Sequence, residues 1–354
     1  MALLAGIAGG LLRAGLVLAD GLPGGSWLGN AAVSHGALMI CGFMGTVIGI
    51  ERAVAAKWPA SWLAPVASGV GGLCLLAGET TAAAWLLTAA AVVFVGVNVM
   101  VVHRQRAAHT LLLLGGALAW LTGSVLFLRR PEDTSSVPWW FAFLVMTIAA
   151  ERLEMTRLMR RRPGAEVSLW VILGGMVLGA TLSAFSPRWG GVLYGSSLLC
   201  LAVWLGVFDI ARRTIAAHGL ARFMAVCLLG GYAWLAVAGL AWTGAALGLS
   251  LRDAALHALG LGFIVSMMMG HAPVILPAIA RIKLEFGPLF YVPLAALHLS
   301  LIVRLGMGLN DPEWRAIGAL LNAVAIGLFA ATMVGAAVLW HRRHGSQQER
   351  RGAF

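Results

Sequence analysis

Long apolar blocks, separated by short polar segments, run along the whole chain. The blocks have roughly 18 to 25 residues, the length that an α-helix needs to cross a hydrocarbon core about 30 Å thick. Backbone groups in lipid must bond within their own segment, which favours helices. The pattern predicts an all-α polytopic integral membrane protein of about twelve transmembrane helices, at residues 3–20, 31–50, 60–78, 82–102, 108–128, 137–156, 167–186, 190–211, 221–247, 253–278, 288–308 and 316–340.

The composition excludes a water-soluble fold. Hydrophobic residues make up 60% of the 354 residues and charged residues 11%, and the mean hydropathy is +0.89, which indicates a lipid bilayer as the environment. We therefore predict a single transmembrane domain at residues 1–345 and a basic cytoplasmic tail at residues 346–354. The first block has no basic leader and no convincing cleavage site, which favours a retained helix over a signal peptide.

Basic residues are concentrated at alternate ends of the predicted helices. Because cytoplasmic loops retain Lys and Arg, this bias predicts that both termini are cytoplasmic. It also accounts for the net charge of +11, and no nucleic-acid-binding motif is present, so no nucleic acid partner is expected. The residues at the predicted cytoplasmic ends, 17 of the 25 Lys and Arg, are Arg52, Lys57, Arg104, Arg106, Arg157, Arg160, Arg161, Arg162, Arg212, Arg213, Arg222, Arg281, Lys283, Arg342, Arg343, Arg350 and Arg351.

Histidines at membrane depth are the main candidates for chemistry, because ionisable groups are costly there and usually functional. His35 and His257 lie near the outer ends of predicted helices two and ten, so we expect them at one depth. Two imidazoles form a six-coordinate haem centre suited to electron transfer. We predict that His35 and His257 bind haem b. The alternative is two buried histidines, each hydrogen-bonded to a helix carbonyl or to Ser34.

A second haem or metal site is predicted around His271, which follows His257 by fourteen positions. In a continuous α-helix this spacing gives about 21 Å of rise and places both residues on nearly the same face. Such an arrangement suits two haems stacked across a membrane. The candidate partners for His271 at this second site are His298, in predicted helix eleven, and His103 or His109 at the inner edge of the membrane.

Copper is a further candidate metal, because thioether and imidazole ligands suit Cu(I). Met267, Met268 and Met269 precede His271 by one turn. Consecutive residues point in different directions on a helix, so one or two of these sulfurs at most could join His271. Packing is the simpler role for the methionines.

Two arginines are candidate cofactor-binding residues, because a guanidinium group can pair with a haem propionate. Arg304 lies six residues after His298, and Arg252 lies at the mouth of predicted helix ten. For Arg304 the alternatives are an ion pair with a carboxylate elsewhere in the chain or a side chain that reaches the outer interface. Acids beside arginines at the inner ends, such as Glu51 and Glu151, favour structural ion pairs, with proton uptake as the alternative.

Two motifs lie in predicted helices two and ten. Their residues are His35, Met39, Gly42 and Phe43, then His257, Ala258, Leu259, Gly262, Ile264 and Met267. The first motif resembles the second-helix motif of the NnrS family of multi-spanning membrane proteins and differs from it at Ala37, where the family has a second histidine. The second motif is similar to that family's His-Ala-Leu motif in a late helix. The resemblance implies a haem-containing inner-membrane protein, with copper as a candidate additional metal, that acts in nitric oxide metabolism or nitrosative stress.

The chain also resembles, more loosely, the catalytic subunit of haem-copper oxidases and nitric oxide reductases. It departs from that subunit in predicted helices six and seven, which contain no histidine, so a three-histidine copper centre is not expected. Together, the histidines and the two resemblances predict a protein that binds, senses or turns over a small diatomic gas, NO or O2, with a membrane quinone or a cytochrome as a candidate electron donor. Turnover would make it a nitric oxide reductase-like oxidoreductase. Two other classes stay open: a cofactor-free transporter, for which the region 270–277 would unwind, and a quinone-linked electron-transfer subunit.

Overall fold

The computed structural model describes residues 1–16, 26–156 and 164–351, with side chains except those of residues 156 and 345–351. These residues form helices and no strands, which confirms an all-α polytopic membrane protein. Within the described ranges, ten helical segments are long and apolar enough to cross a membrane: His35–Ala56, Pro59–Leu76, Thr80–Arg104, Ala108–Arg129, Ala165–Leu182, Pro187–Phe208, Gly219–Ala246, Arg252–Ala280, Pro288–Leu305 and Pro312–His344.

The helical elements follow the predicted blocks in order along the chain. They are α1 (Ala2–Arg13), α2 (Trp27–Val33), α3 (His35–Ala37), π1 (Leu38–Gly45), α4 (Thr46–Ala56), α5 (Leu63–Leu76), α6 (Thr80–Arg104), α7 (Ala108–Arg129), α8 (Ser136–Thr156), α9 (Ala165–Leu182), α10 (Pro187–Phe208), α11 (Ala211–Thr214), α12 (Gly219–Ala246), α13 (Arg252–His257), π2 (Ala258–Val265), α14 (Ser266–Ala280), α15 (Tyr291–Leu305) and α16 (Pro312–Arg351).

Two of the predicted spans differ from the ten. Helix α1 has 12 residues and is shorter than a membrane crossing. Helix α8 has 21 residues but is not among the ten, so the count of twelve stays a prediction. Asp20, the end of the first predicted span, the basic residues Arg157 and Arg160 to Arg162, and the tail residues 352–354 lie outside the described residues.

The chain groups into two compact units. The first unit comprises Met1–Asp209 and Gly239–Arg252, and the second comprises Ile210–Ala238 and Asp253–Phe354. Sequential helices pack against each other in the first unit, notably α5 with α6, α6 with α7, α7 with α8, and α9 with α10. In the second unit, α15 and α16 form a tightly packed hairpin.

Helix α8 is the central helix of the first unit. No residue from 136 to 153 is exposed, whereas a helix on the lipid-facing side would present an apolar exposed face. The ring of Phe143 stacks on Trp120 of α7 with 4.9 Å between the centroids, and Phe94 of α6 meets Phe143 edge-on at 5.7 Å. These contacts bury large aromatic side chains, which contribute much of the packing energy of a protein core.

The unexpected feature of the backbone is a pair of eight-residue π-helices, one in each unit. π1 begins three residues after His35, and π2 begins directly after His257. Long π-helices are rare, and π-helical turns occur frequently at functional sites. His35 and His257, the two histidines predicted to bind haem b, therefore each precede a segment of unusual backbone geometry.

Candidate functional site

His35 lies at the start of α3, where the chain resumes its helix after a break at Ser34. Its Nδ1 is 2.7 Å from the carbonyl oxygen of Gly6 in α1. A carbonyl can accept but not donate, so the ring proton lies on Nδ1 and the lone pair on Nε2. Helix α1 thus fixes the tautomer of His35 through a contact between residues far apart in sequence.

Small residues of α1 make this contact possible. A Cβ atom at Gly10 would lie 2.9 Å from Cε1 of His35, and one at Gly6 would lie 2.6 Å from Sδ of Met39. Gly6 and Gly10 lie one turn apart, as do His35 and Met39, so two matching faces meet. The ring of His35 packs directly on the backbone of α1.

The variant Gly10→Ala is expected to displace the His35 ring. The added methyl group would lie 2.9 Å from Cε1 and 3.2 Å from Nδ1, which is closer than van der Waals contact, so the ring must move away from the Gly6 carbonyl. Nitrogen-15 NMR of histidine-labelled protein should show a shift of the His35 Nδ1 resonance. The control is Gly96→Ala, since a Cβ at Gly96 meets nothing within 4 Å; equal spectra for the two variants would contradict the packing.

His257 ends α13, in the second unit. Its Nδ1 is 3.0 Å from the backbone oxygen of Asp253 and 3.0 Å from the carboxylate oxygen Oδ1 of the same residue. Both atoms are acceptors, so the proton again lies on Nδ1 and the lone pair on Nε2. The alternative role, a histidine hydrogen-bonded to a helix carbonyl, therefore describes Nδ1 of both His35 and His257. It does not exclude ligation, because metal-binding histidines also donate from their other nitrogen.

Asp253 is itself held by Arg304 of α15. Nε of Arg304 donates to Oδ2 at 3.1 Å, and Nη2 donates to Oδ1 at 2.9 Å. The carboxylate partner that the sequence left open for Arg304 is thus Asp253. Nη1 of Arg304 lies 3.5 Å from Oδ1 of Asn322, whose Nδ2 donates to Ser300 at 2.6 Å.

His271 lies in α14, and its Nδ1 is 2.7 Å from the carbonyl oxygen of Met267. It therefore has the same tautomer as His35 and His257. The expectation that His257 and His271 share a face assumed a continuous α-helix, and this assumption was wrong. All eight residues of π2 lie between them, and i→i+5 bonding places more residues in each turn than the α-helix, so π2 moves His271 out of that register.

His298 has the opposite tautomer. Trp234 Nε1 donates to His298 Nδ1 at 2.8 Å, so the proton of the neutral ring lies on Nε2. This Nε2 is buried and makes no hydrogen bond among the described residues. It faces Gly230, where a Cβ atom would lie 2.8 Å away. A metal could bind Nε2 only after the bond from Trp234 breaks, so the geometry does not favour the predicted ligand role.

The remaining predicted residue, Arg252, is exposed at the start of α13. Asp253 is a site residue that the sequence pattern of histidines and arginines did not identify. Its spacing of four residues from His257 was a visible signal, since residues at i and i+4 share a helix face.

Ion pairs lie at the predicted inner end of the first unit. Arg52 of α4 donates to Glu151 of α8 at 3.3 Å, and Glu51 approaches Arg52 at 3.6 Å. Nε2 of His109 lies 3.6 Å from Glu154. These pairs connect α4, α7 and α8, as structural ion pairs do.

The donor chemistry of three histidines fits the axial position of a haem. His35, His257 and His271 each carry the ring proton on Nδ1, as a metal-binding histidine does. Among residues 1–16, 26–156 and 164–351, no group of three or more His, Cys, Asp or Glu residues could hold a metal ion. A haem takes its nitrogen donors from the porphyrin and needs one or two axial side chains.

Fold and composition define the class: an all-helical integral membrane protein with histidines inside its candidate membrane-spanning helices. Residues 1–338 match the family model described as Domain of unknown function (DUF8744), and the chain belongs to this family. Comparison with curated proteins gave no match. Comparison with solved structures gave none either.

Proposed function

We propose that the protein is a haem-binding membrane protein that binds, senses or turns over a small diatomic gas, with His35 and His257 as ligands of haem b. The observation that carries the proposal is the shared tautomer of the histidines before π1 and π2, which places the lone pair of each ring on Nε2. The resemblance of both motifs to the NnrS family supports a connection with nitric oxide.

The protein and the haem have separate tasks. The haem supplies an iron that changes oxidation state or binds a gas. Helix α1 orients His35, and Asp253 orients His257. A gas needs an open position on its metal, so gas binding is assigned to a haem that would be held by a single histidine or to a copper ion that would be held at His271.

The placement in the membrane is part of the proposal. We propose twelve crossings: the ten apolar helices, α8, and the span 3–20, of which α1 forms the first part, with both termini in the cytoplasm. The excess of Lys and Arg at alternate helix ends supports this orientation. The membrane would be the inner membrane, where a quinone or a cytochrome can donate electrons.

The first test is the absorption spectrum of detergent-purified protein, oxidised and dithionite-reduced, with and without nitric oxide. We expect a Soret band that changes on reduction, and a large loss of haem in His35→Ala and in His257→Ala. The matched control is His344→Ala. His344 is an exposed histidine whose Nδ1 contacts the carbonyl oxygen of Trp340 at 3.1 Å, so its replacement should leave the spectrum unchanged.

A colourless wild-type protein, purified after expression with added haem, would refute the proposal. So would a spectrum that survives both histidine variants. A spectral change on adding nitric oxide that disappears in His271→Ala would assign gas binding to a haem or copper ion held by His271.

A cofactor-free transporter is the second candidate, favoured by the ion pair between Asp253, in the first turn of α13, and Arg304, in the last turn of α15. Charged pairs within membranes often mark transport pathways. The region expected to unwind does not do so, because α14 is continuous from Ser266 to Ala280 through Pro273 and Pro277. Substrate uptake by vesicles that contain a colourless protein would support the transporter.

A further inference from the structure

We infer that Asp253, held in place by Arg304, is a positioning residue for His257. Its carboxylate keeps the ring proton on Nδ1 and makes Nε2 a stronger electron-pair donor. The consequence for haem rests on the proposed function. The effect on the ring itself exists in the cofactor-free protein as well, and it can be measured there.

The carboxylate of Asp253 gives Nδ1 of His257 a second acceptor, beside a backbone contact that is common in helices. Nδ1 of His271 and Nδ1 of His344 also contact the carbonyl oxygen four residues earlier, at 2.7 and 3.1 Å. That contact alone is therefore ordinary helix geometry. At His257 the carboxylate oxygen of Asp253 lies at the same 3.0 Å as the backbone oxygen, so the Nδ1–H group meets a full negative charge as well as a dipole.

Arg304 fixes where that charge lies. Its planar guanidinium group bonds both carboxylate oxygens, at 2.9 and 3.1 Å, in the two-point geometry that arginine forms with carboxylates. The side chain of Arg304 is only 11% exposed, against 33% for Asp253. A well-packed arginine thus locks the rotamer of the carboxylate that faces His257.

Within the hairpin of α15 and α16, helix α16 packs against the backbone of Arg304. A Cβ atom at Gly318 would lie 2.5 Å from Cα of Arg304, so only glycine allows α16 to pass so close. One turn later on the same face, Asn322 approaches Nη1 of Arg304 and donates to Ser300. The polar chain from His257 therefore ends in two buried residues, Asn322 and Ser300.

A carboxylate that accepts a hydrogen bond from the ring nitrogen that does not bind the metal raises the basicity of the nitrogen that does. Extra negative charge near an iron stabilises the ferric state relative to the ferrous state. Asp253 should therefore lower the midpoint potential of a haem bound by His257. Loss of such a partner typically weakens metal binding about 10- to 100-fold.

The decisive experiment uses the full-length protein without haem, labelled with nitrogen-15 histidine, with His257 assigned from the His257→Gln spectrum. The test variants are Asp253→Asn and the double variant Asp253→Asn with Arg304→Gln. The double variant removes both charges, so neither is left unpaired. A change in its spectrum therefore cannot be attributed to unfolding caused by a lone charge. The control is Asp311→Asn, the same change at the start of α16, where the side chain bonds the backbone of Glu313.

The Nδ1 proton of His257 should resonate far downfield in the wild type and in the control, and should move upfield in both test variants. An unchanged His257 signal in the folded test variants would overturn the inference. The backbone oxygen of Asp253 would then be the atom that accepts the hydrogen bond from Nδ1.

Haem-loaded protein gives the second readout. Asp253→Asn and the double variant should raise the midpoint potential and weaken haem binding about 10- to 100-fold, while Asp311→Asn should change neither. Potentials equal to that of the wild type would overturn the inference. If the wild type binds no haem, the proposed function fails, and the NMR result still decides the role of Asp253.

Discussion

Arg304→Met is expected to lower the free energy of unfolding by about 3 kcal/mol, because it leaves the Asp253 carboxylate without its two-point partner. Methionine keeps most of the length of the side chain, so packing against α16 changes little. The loss should lie at the low end of the range for broken buried pairs, since the Asp253 side chain is 33% exposed. Thermal or denaturant unfolding in detergent, followed by circular dichroism, measures it.

The double variant Arg304→Met with Asp253→Asn should recover much of this stability, because a neutral pair needs no counter-charge. Arg130→Met is the control for loss of an arginine, since Arg130 is exposed at the end of α7. If Arg304→Met unfolds at the same point as the Arg130 control, the ion pair contributes nothing to stability.

Gly262→Leu is expected to lower the free energy of unfolding by about 3 kcal/mol and to displace Trp234. Gly262 lies in π2, and even a Cβ atom there would lie 2.5 Å from both Cβ and Cγ of Trp234. The indole must move, and its hydrogen bond to His298 should be lost. Unfolding curves give the stability, and the Trp234 fluorescence, defined by the difference from Trp234→Phe, gives the displacement.

Gly174→Leu is the matched control, because a Cβ atom at Gly174 meets nothing within 4 Å and the residue is exposed on α9. Replacing a helical glycine there should be neutral or slightly stabilising. Comparable losses in the two leucine variants would mean that the close packing of π2 on Trp234 does not hold.

Hydropathy alone predicted the class of protein and the order of the helices, since bilayer thickness fixes the length of each apolar block. It did not predict π1 and π2. Their sequences, LMICGFMG and ALGLGFIV, are as apolar as any other span. Distant residues also contact these segments, as in the bond that Ser68 of α5 donates to the carbonyl oxygen of Cys41 in π1 at 2.7 Å, and hydropathy does not reveal such contacts.

The candidate site was predicted in part. The positions of His35 and His257 near helix ends were visible in the sequence, and so was the spacing of Asp253 from His257. The partner of Asp253 was not, because Arg304 lies 51 residues away and reaches it only through the packing of α15. The tautomer of His298 likewise depends on Trp234, 64 residues away.

The burial of α8 has a consequence for how the chain enters the membrane during synthesis. Glu151 and Arg152 follow its apolar part directly, and Glu151 meets Arg52 only once the first unit has assembled. Charged residues oppose transfer of a lone helix into lipid. Helix α8 should therefore leave the translocation machinery together with α7, its tightest neighbour, and the earlier helices should wait beside that machinery as a membrane-embedded scaffold.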